Sequence, residues 1–561
     1  MVGRLAVLLS KVAKNNLICG WVVLPRRKVC VVARRSALRL FRIEVQVGNI
    51  VASSGSAWKG ASVITEALRA FYAPHSSADR DISTDLDVLR RRSRQLFQNN
   101  TFSRAMISSF TTNVVGTGIK ARPNLKQWDA LGLTQDDAEK WERKTQDLFE
   151  LWANSKKCDA ERKNNFAQLQ DLAFKTALLG GDCFALACYD KELQPFGLNV
   201  KLLESERCQN PFGVMDSDAL MQGVEVNKVG KPIAYHFTQK PAWSIDNYTD
   251  FVDSVRVPAF DAFGNPNVIH IFTADRTDQR RGVPLLAPMI LQLKQQERYQ
   301  DAELMAAVIS ACFTAVLENN VPEEAEEIYG NVPENERAEK TDGNGRSLES
   351  GFAQSLEMKP GAIWSLAQGQ SIKSLNPQRP NVNYQPFVES IFSEAAAACG
   401  VSFEMVLRKF NSNYNAVRAV IFESRKTFER MRHDFVSDFC QPVYEKWLAE
   451  AIIMGIVDAP GFFEDPVKRA FWSGCRWIGD AAFLLDPQKE MNAIKMQIDE
   501  QLIDRDTACA MINGGDYDSS LNGLARELAK RKEKGVGEPG AVSKTENFSV
   551  STDDTEESSL Q

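Results

Sequence analysis

Residues 166–189 read FAQLQDLAFKTALLGGDCFALACY and place a helix directly before a strand. The segment from Phe166 to Leu179 is rich in helix-forming residues, and Gly180-Gly181 ends it because glycine accepts the left-handed backbone that follows a last helical turn. The segment from Asp182 to Tyr189 is a short, mostly apolar run of strand length. The sequence therefore predicts mixed α and β structure around this point.

Further strand signals follow on the C-terminal side. Val200 to Leu203 is strand-like. The segments 223–227 and 233–237 alternate apolar and polar residues on either side of Gly230, which is typical of a hairpin. Val268 to Phe272 is another short strand. We therefore expect an α+β module in the first half of the chain.

Helical periodicity dominates the rest of the chain. The predicted helices are 86–115, 138–155, 288–318, 387–399, 415–439 and 524–534, with smaller helical pieces at 452–457 and 486–511. A single helix from Pro288 to Glu318 would be about 45 Å long. Pro442 should kink or end the helix before it, and Trp472 and Trp477 are expected in the core. The predicted fold class is α+β and helix-rich.

Composition describes an ordinary globular protein without an overall affinity for nucleic acid. The 561 residues allow about three or four domains. Hydrophobic residues make up 44% and charged residues 25%, which is enough to bury a core. Net charge is 67 minus 73, or −6. The chain therefore lacks the basic balance of a protein that binds DNA phosphates along its whole surface, and any DNA contact must be local or weak.

The cysteines, the histidines and the motif content argue against a metal centre, a cofactor and catalysis. Eleven cysteines are scattered without a CxxC pair, and the four histidines lie far apart, so metal-ligand spacing is missing. No phosphate-binding G-x-x-x-x-G-K-[ST] loop, H-E-x-x-H or G-x-S-x-G motif occurs. We expect no enzyme activity, no cofactor and no metal. We also expect no membrane partner, since no apolar run is long enough to span a bilayer.

The two ends of the chain differ from its body. Residues 1–57 form a basic N-terminal extension, and Met1 to Ile50 contain Glu44 as their single acidic residue. A signal peptide fits poorly because Lys11 and Lys14 interrupt the apolar region. A non-native upstream extension and a disordered arm are the two interpretations that remain. Residues 535–561 are rich in Ser, Thr, Glu, Gly and Asp and are predicted to be a disordered acidic tail.

A set of short segments occurs in a specific order along the chain. They are Arg90–Leu96 (RRRSRQL), Asn113–Ile119 (NVVGTGI), His270–Phe272 (HIF), Arg281–Pro284 (RGVP), Pro360–Leu366 (PGAIWSL), Tyr414–Ala419 (YNAVRA), Asp486–Glu490 (DPQKE) and Gly514–Asp516 (GGD). Each segment alone is weak, but their shared order is specific. From about Trp58 to Lys532 the chain resembles the lambda-type portal proteins of tailed bacteriophages.

The resemblance implies a portal fold with wing, stem, clip and crown regions, assembling as a ring of about twelve subunits around a channel. By order along the chain, the implied regions are the wing α+β region at 58–280, a stem helix at 281–318, the clip at 319–380, a second stem helix at 381–400, a tunnel loop at 401–414, and a long wing helix with the crown at 415–534.

The resemblance also implies a function and a set of partners. A portal ring at one capsid vertex passes double-stranded DNA into the capsid and later out of it. It docks the large terminase subunit and then the head–tail connector proteins, and it sits among major capsid proteins. The implied location is the virion, and the cytoplasm of the host bacterium during assembly; a prophage would encode the protein. Two alternatives are a DNA-processing or terminase-like motor subunit, which the missing nucleotide loop disfavours, and a cellular oligomeric scaffold or pore.

Two groups of residues are candidate sites. In the implied tunnel loop, Arg408, Lys409, Asn411 and Asn413 would face DNA. Where many relatives carry an acidic residue, this chain has Lys409, which either touches phosphate and acts as a brake or points away from the lumen.

The second group is an arginine cluster on the predicted helix 86–115. Arg90, Arg91, Arg92 and Arg94 form either a DNA or acidic-partner patch, or a solvated helix face or intersubunit salt-bridge edge.

Overall fold

The computed structural model describes residues 18–24, 27–33, 60, 66–71, 75–238, 254–261, 263–312, 316–319, 370–373, 384–410, 413–481, 486–515 and 517–535. The chain divides into two compact units, Met1–Ser76 and Ser77–Gln561. Most of the implied clip region and the tail after residue 535 lie outside the described residues.

The first unit contains a hairpin and one short helix. Strands Ile18–Leu24 and Arg27–Ala33 pair antiparallel, with Trp21 opposite Cys30. Glu66–Arg69 is a single helical turn. The hairpin lies inside the basic N-terminal extension, whose interpretation as non-native or disordered stays a prediction.

The second unit is rich in helices. Its α-helices are Ala78–Ser83, Leu86–Asn99, Thr101–Val114, Gln135–Asn154, Phe166–Gly180, Ile290–Cys312, Tyr384–Ala398, Phe403–Leu407, Tyr414–Phe435, Gln441–Ile453, Pro466–Trp472, Pro487–Asp499, Arg505–Asn513 and Tyr517–Glu533. Short 3-10 turns lie at Lys156–Cys158, Ser205–Arg207 and Ala287–Met289, and a π-turn lies at Val436–Cys440.

Small antiparallel sheets accompany these helices. A three-stranded sheet has Asp182–Tyr189 between Val268–Phe272 and Leu198–Glu204. A four-stranded sheet follows the order Leu220–Met221, Val224–Val226, Pro232–Thr238, Ser254–Pro258. Two-stranded pairs join Cys475–Ile478 to Lys120–Pro123, and Val316–Asn319 to Gln370–Lys373. The helix–strand order predicted for 166–189 and the hairpin around Gly230 are confirmed, and so is the α+β, helix-rich class.

Aromatic side chains join the two halves of the second unit in one core. Phe149 meets Phe166, Tyr444 and Trp447 edge to face, with ring centroids 5.8, 5.3 and 5.0 Å away. Such geometry adds about 0.5–1.5 kcal/mol per pair to the burial of the rings. The helix Gln441–Ile453 is thereby fixed against helices from the first half. Trp472 is fully buried, as predicted, whereas Trp477 is half-buried.

The prediction of one helix over 86–115 is wrong, because the chain breaks at Asn100. This residue has an extended backbone (φ −96°, ψ 120°), and its Oδ1 accepts a hydrogen bond from the amide of Ser103 at 2.9 Å. Asn100 is therefore the N-cap of a new helix, a role that asparagine performs well. The apolar spacing persists across the break, so periodicity alone did not reveal it.

The prediction of a helix from Pro288 to Glu318 is also wrong at its C-terminal end. The helix Ile290–Cys312 has 23 residues and is about 35 Å long. Val316–Asn319 instead pairs with Gln370–Lys373 as a β-hairpin-like ladder. Valine and leucine at 316–317 fit either structure, and the partner strand decides between them.

Three predictions around the C-terminal helices need correction. The segment 401–414, which the resemblance implies to be a loop, contains the helix Phe403–Leu407. Pro442 does not end the helical path, because the π-turn Val436–Cys440 precedes it and places it in the first turn of the next helix. Residues 452–457 are not a separate helix, since Ile453 ends the one before and Gly455 turns the chain with φ 70°.

Candidate functional site: a buried ionic cluster and an exposed loop

An ionic cluster lies where helix, sheet and the approach to the long helix Ile290–Cys312 meet. We define it as Asp182, Arg90, Arg281 and His270. Asp182 begins its strand directly after the glycines that end the helix Phe166–Gly180. All four side chains are at least nine-tenths buried.

Arg281 is held by every N–H group of its guanidinium. Its Nε and Nη2 donate to the two carboxylate oxygens of Asp182 at 2.5 and 3.2 Å. Nη2 also donates to the carbonyl of Ser205 at 2.7 Å, and Nη1 donates to the carbonyls of Cys208 and Gln222. A bidentate pair with all donors satisfied is the arrangement in which a buried arginine is stable.

Arg90 and His270 complete the shell around the carboxylate. Arg90 donates from Nη2 to Asp182 at 3.1 Å and from Nε to the Gly180 carbonyl at 2.8 Å. His270 Nε2 lies 3.4 Å from Asp182 Oδ2, and its ring stacks on Phe184 at 4.3 Å. Because an ionised carboxylate only accepts, Nε2 is assigned as the protonated nitrogen of the imidazole.

The charges of the cluster follow from its surroundings. Burial favours a neutral Asp182, but Arg281 and Arg90 outweigh it and hold the pKa of that carboxyl well below its usual range. Burial lowers the pKa of His270, so the ring is neutral at pH 7. Burial, followed by the charge of Arg281, lowers the pKa of Arg90 to about 10, which leaves it protonated. The cluster therefore holds one negative and two positive charges.

Two glycines bring the backbone of the cluster together. A Cβ at Gly282 would stand 1.9 Å from the carbonyl oxygen of Gly181, and a Cβ at Gly181 would stand 2.4 Å from that of Gly282. Gly181 also has φ +87°, which glycine adopts without strain. The cluster and this close contact fix the chain only eight residues before the long helix begins. They therefore constrain the segment that leads into that helix.

The four arginines predicted as one patch do not share one surface. The prediction is wrong for Arg90, whose side chain is buried inside its own subunit because it neutralises Asp182. Arg94 is half-buried and pairs with Glu206 at 2.5 Å. Arg91 and Arg92 are exposed, and Arg91 pairs with Asp87 on the same helix. A partner contact through the exposed arginines stays a prediction.

The loop predicted to face DNA is anchored at both ends. Before it, the Thr427 hydroxyl donates to the Gly400 carbonyl at 2.7 Å, and the Ser402 amide donates to the Ser424 hydroxyl at 3.3 Å. After it, Asn413 caps the helix Tyr414–Phe435 by accepting from the amide of Ala416 at 3.0 Å. Asn413 thus has a structural role, and Asn411 lies outside the described residues.

The two cations of this loop have different surroundings. Lys409 Nζ lies 3.0 Å from Glu389 Oε1 on the helix Tyr384–Ala398. Arg408 is exposed and has the left-handed backbone (φ 54°) that ends the helix Phe403–Leu407. The sequence singled out both residues, but nothing in it located the partner of Lys409 twenty positions earlier.

Sequence reasoning missed Asp182 as the centre of the ionic cluster. The available signal was a single acidic residue that begins an otherwise apolar strand. Within the described residues, no three His, Cys, Asp or Glu side chains group as metal ligands. Among the same residues, no helix has the length and hydropathy to cross a membrane.

Comparison with known proteins shows which family the sequence resembles. Residues 65–432 match the family model described as phage portal protein, lambda family. The portal protein of Escherichia phage N15 is 24% identical over 484 residues, which covers 84% of this chain and 89% of the relative. Portal protein B of Escherichia phage lambda shows the same identity and coverage.

Among solved structures, the neck of the native gene transfer agent particle, computed with C12 symmetry, covers 78% of this chain at 13% identity, with a TM-score of 0.40. The neck of the empty particle, computed with C6 symmetry, covers 80% at 13% identity, with a TM-score of 0.41. The family model spans well over half of the chain and includes the ionic cluster, the long helix and the loop at 401–414. The chain belongs to the lambda family of phage portal proteins.

Proposed function

We propose that this portal protein assembles as a ring of twelve copies at one capsid vertex and that double-stranded DNA passes through the central channel during packaging and ejection. Family membership across residues 65–432 supports this role. The proposal assigns the protein to the virion, and to the cytoplasm of the host bacterium while the capsid is assembled.

The observation that supports assembly into a ring is an apolar surface on the long helix. Leu304, Met305 and Val308 of the helix Ile290–Cys312 are 65%, 61% and 50% exposed. The adjacent helix Tyr384–Ala398 packs on it through Tyr299, whose ring lies 5.2 Å from that of Phe387, and Phe387 is itself 51% exposed. An apolar surface of this kind marks an interaction site. Neighbouring copies of the same helices would cover it in a ring.

Different regions of the chain would contact different partners. In this proposal, the helices Ile290–Cys312 and Tyr384–Ala398 form the stem, and the segment 319–380 forms the clip that docks the large terminase subunit and later the head–tail connector proteins. The wing, at 58–280, faces major capsid proteins. The loop at 401–414 faces DNA. The portal has no catalytic activity of its own, so purified rings should hydrolyse neither ATP nor DNA.

Electron microscopy of the purified protein tests the ring. We expect end-on views with twelve-fold symmetry and a central hole. The double variant Leu304→Ser/Val308→Ser should shift the protein to monomers, because it makes the uncovered surface polar. Leu151→Ser is the matched control, since Leu151 is 59% exposed on another helix. A wild-type protein that stays monomeric at high concentration, alone and with capsid protein, would contradict the proposal.

A further inference from the structure

Adjacent cations in the loop at 401–414 differ in whether a carboxylate covers them. Lys409 and Arg408 follow the helix Phe403–Leu407 in sequence, and both are exposed. A cation that already pairs with a carboxylate must give up that pair to bind phosphate, so it adds less to DNA affinity than an unpaired cation, whose contact with phosphate releases counterions from the DNA. The ion pairing of each residue therefore decides which one DNA meets.

Lys409 is neutralised within its own subunit. Its ammonium lies 3.0 Å from Glu389, and the side chains of the two residues are 43% and 33% exposed. Gln385, one helical turn before Glu389, donates from Nε2 to the same carboxylate oxygen at 2.9 Å. The hydrogen bond from Gln385, and then that from Lys409, lower the pKa of Glu389, so the carboxylate is ionised at neutral pH. The acid is thus oriented by a neighbour on its own helix.

Arg408 has no comparable carboxylate. No ion pair of its side chain is present among the residues that the structure describes. Its left-handed backbone places it at the C-cap of the helix Phe403–Leu407, where its amide donates to the Glu404 carbonyl. A non-glycine residue in this region costs about 1–2 kcal/mol, so the anchored helix before it must hold the conformation. The backbone conformation of Arg408 is therefore set by the fold.

From this contrast we infer that Glu389 masks Lys409, and that Arg408 is the cation of the described part of this loop that each subunit presents to DNA phosphates. The inference rests on the proposed function, because it requires DNA in the channel. Under this inference, Lys409 neither acts as a brake on DNA nor has to point away from the lumen, because its charge is paired with Glu389 on the neighbouring helix. One unpaired cation per subunit in the described part of this loop gives contacts that are numerous around the ring but individually weak.

DNA binding by purified rings as a function of salt tests the inference. A labelled short duplex is titrated with rings across a series of salt concentrations, and the slope of log affinity against log salt is measured. Each phosphate neutralised adds about 0.9 to the magnitude of this slope. Glu389→Gln should steepen the slope by at least about 0.9, because it frees Lys409. Arg408→Gln should flatten it by a similar amount, and the double variant Glu389→Gln/Lys409→Gln should match the wild type.

Each measured slope supports or contradicts the masking of Lys409 by Glu389 or the role of Arg408. An unchanged slope for Glu389→Gln, or a flattened slope for the double variant, overturns the masking of Lys409. An unchanged slope for Arg408→Gln overturns the role of Arg408. Glu161→Gln is the matched control, because it frees Lys163 from an exposed pair of 2.6 Å in the turn before the helix Phe166–Gly180. If it steepens the slope as much as Glu389→Gln, binding follows any freed lysine and the inference fails.

Images of the DNA-bound rings separate this inference from the proposed function. If the rings show density for DNA in the channel but Glu389→Gln leaves the salt slope unchanged, the inference alone is overturned. Rings that bind no DNA, or bind it only on their outer surface, overturn the proposed function and the inference with it. Ring images of each variant also show that it has folded and assembled.

Discussion

Replacing Asp182 by asparagine removes the anion at the centre of the ionic cluster and keeps its shape. The carboxylate accepts from Arg281 at 2.5 and 3.2 Å and from Arg90 at 3.1 Å. These arginines are 2% and 3% exposed, so water does not replace the lost charge. Removing one partner of a buried ion pair costs about 3–5 kcal/mol, because the remaining charge is left uncompensated. Asp182→Asn leaves two such charges, so we expect a loss of at least about 3–5 kcal/mol.

Hydrogen–deuterium exchange is the suitable assay, because a 561-residue chain does not unfold in one cooperative step. Peptides that cover the strand Asp182–Tyr189 and the segment 281–290 report the free energy of local opening. The matched control is Asp87→Asn, which breaks an exposed pair with Arg91 on one helix. That variant should change stability by about 0.5 kcal/mol or less.

A second substitution separates lost charge from lost packing. Arg90→Gln in the Asp182→Asn background removes one of the two stranded charges, so the double variant should be less destabilised than the sum of the single variants. A coupling of about 0.5–3 kcal/mol is usual for residues in one network. If Asp182→Asn costs no more than Asp87→Asn, or if the two substitutions simply add, the cluster is not held by its charges and our reasoning is refuted.

Three further predictions concern the backbone and pH. Gly282→Ala should strongly increase the exchange rate in the same peptides, because its Cβ would stand 1.9 Å from the Gly181 carbonyl oxygen. Asn100→Ala should cost about 1 kcal/mol through the lost N-cap, measured as faster exchange in the helix Thr101–Val114; unchanged exchange would contradict the cap. Burial raises the pKa of Asp438 to about 6. A raised pKa means that stability is present below the unfolded value and is lost as pH rises through about 6. Asp438→Asn should therefore stabilise the protein at pH 8 by about 1 kcal/mol, a figure discounted because the group is partly exposed, and thermal unfolding at pH 8 should show a gain that shrinks towards pH 4.

The parts of the fold that could be predicted are those in which local signals agree. In residues 166–189, helix formers, two glycines and an apolar run all indicate the same boundary, and the structure has it at Gly180. The helix break at Asn100 was missed because the apolar spacing continues through it, and only the capping side chain marks it. The strand Val316–Asn319 was missed because its partner lies more than fifty residues further along the chain. Pairing at such separation leaves no local trace.

The candidate site was predictable only as a set of residue types. The segments RRRSRQL and RGVP contribute to the resemblance through their order, but no rule of spacing joins Arg90, Asp182 and Arg281 across nearly two hundred positions. Burial decides their role, and burial depends on the packing of the helix Leu86–Asn99 against the helix Phe166–Gly180. For the same reason, Arg90 and Arg91 are neighbours in sequence but differ completely in exposure. A charge run on a helix therefore cannot be assigned to one surface before its buried face is known.

The contrast between the cluster and the loop suggests how a channel can be rigid and still let DNA move. Arg281 has every donor satisfied and is almost completely excluded from water, so its pair with Asp182 keeps its strength in salt. The Lys409–Glu389 pair is partly exposed, and such pairs contribute about 0–1 kcal/mol. The segment that leads into the long helix is thus held by the stronger of the two interactions. The loop is joined to the neighbouring helix by this weaker pair, which reduces the charge that Lys409 offers to a passing phosphate. Because sliding requires each DNA contact to form and break easily, a weak pair at the loop and a strong one at the helix base are what the proposed function needs.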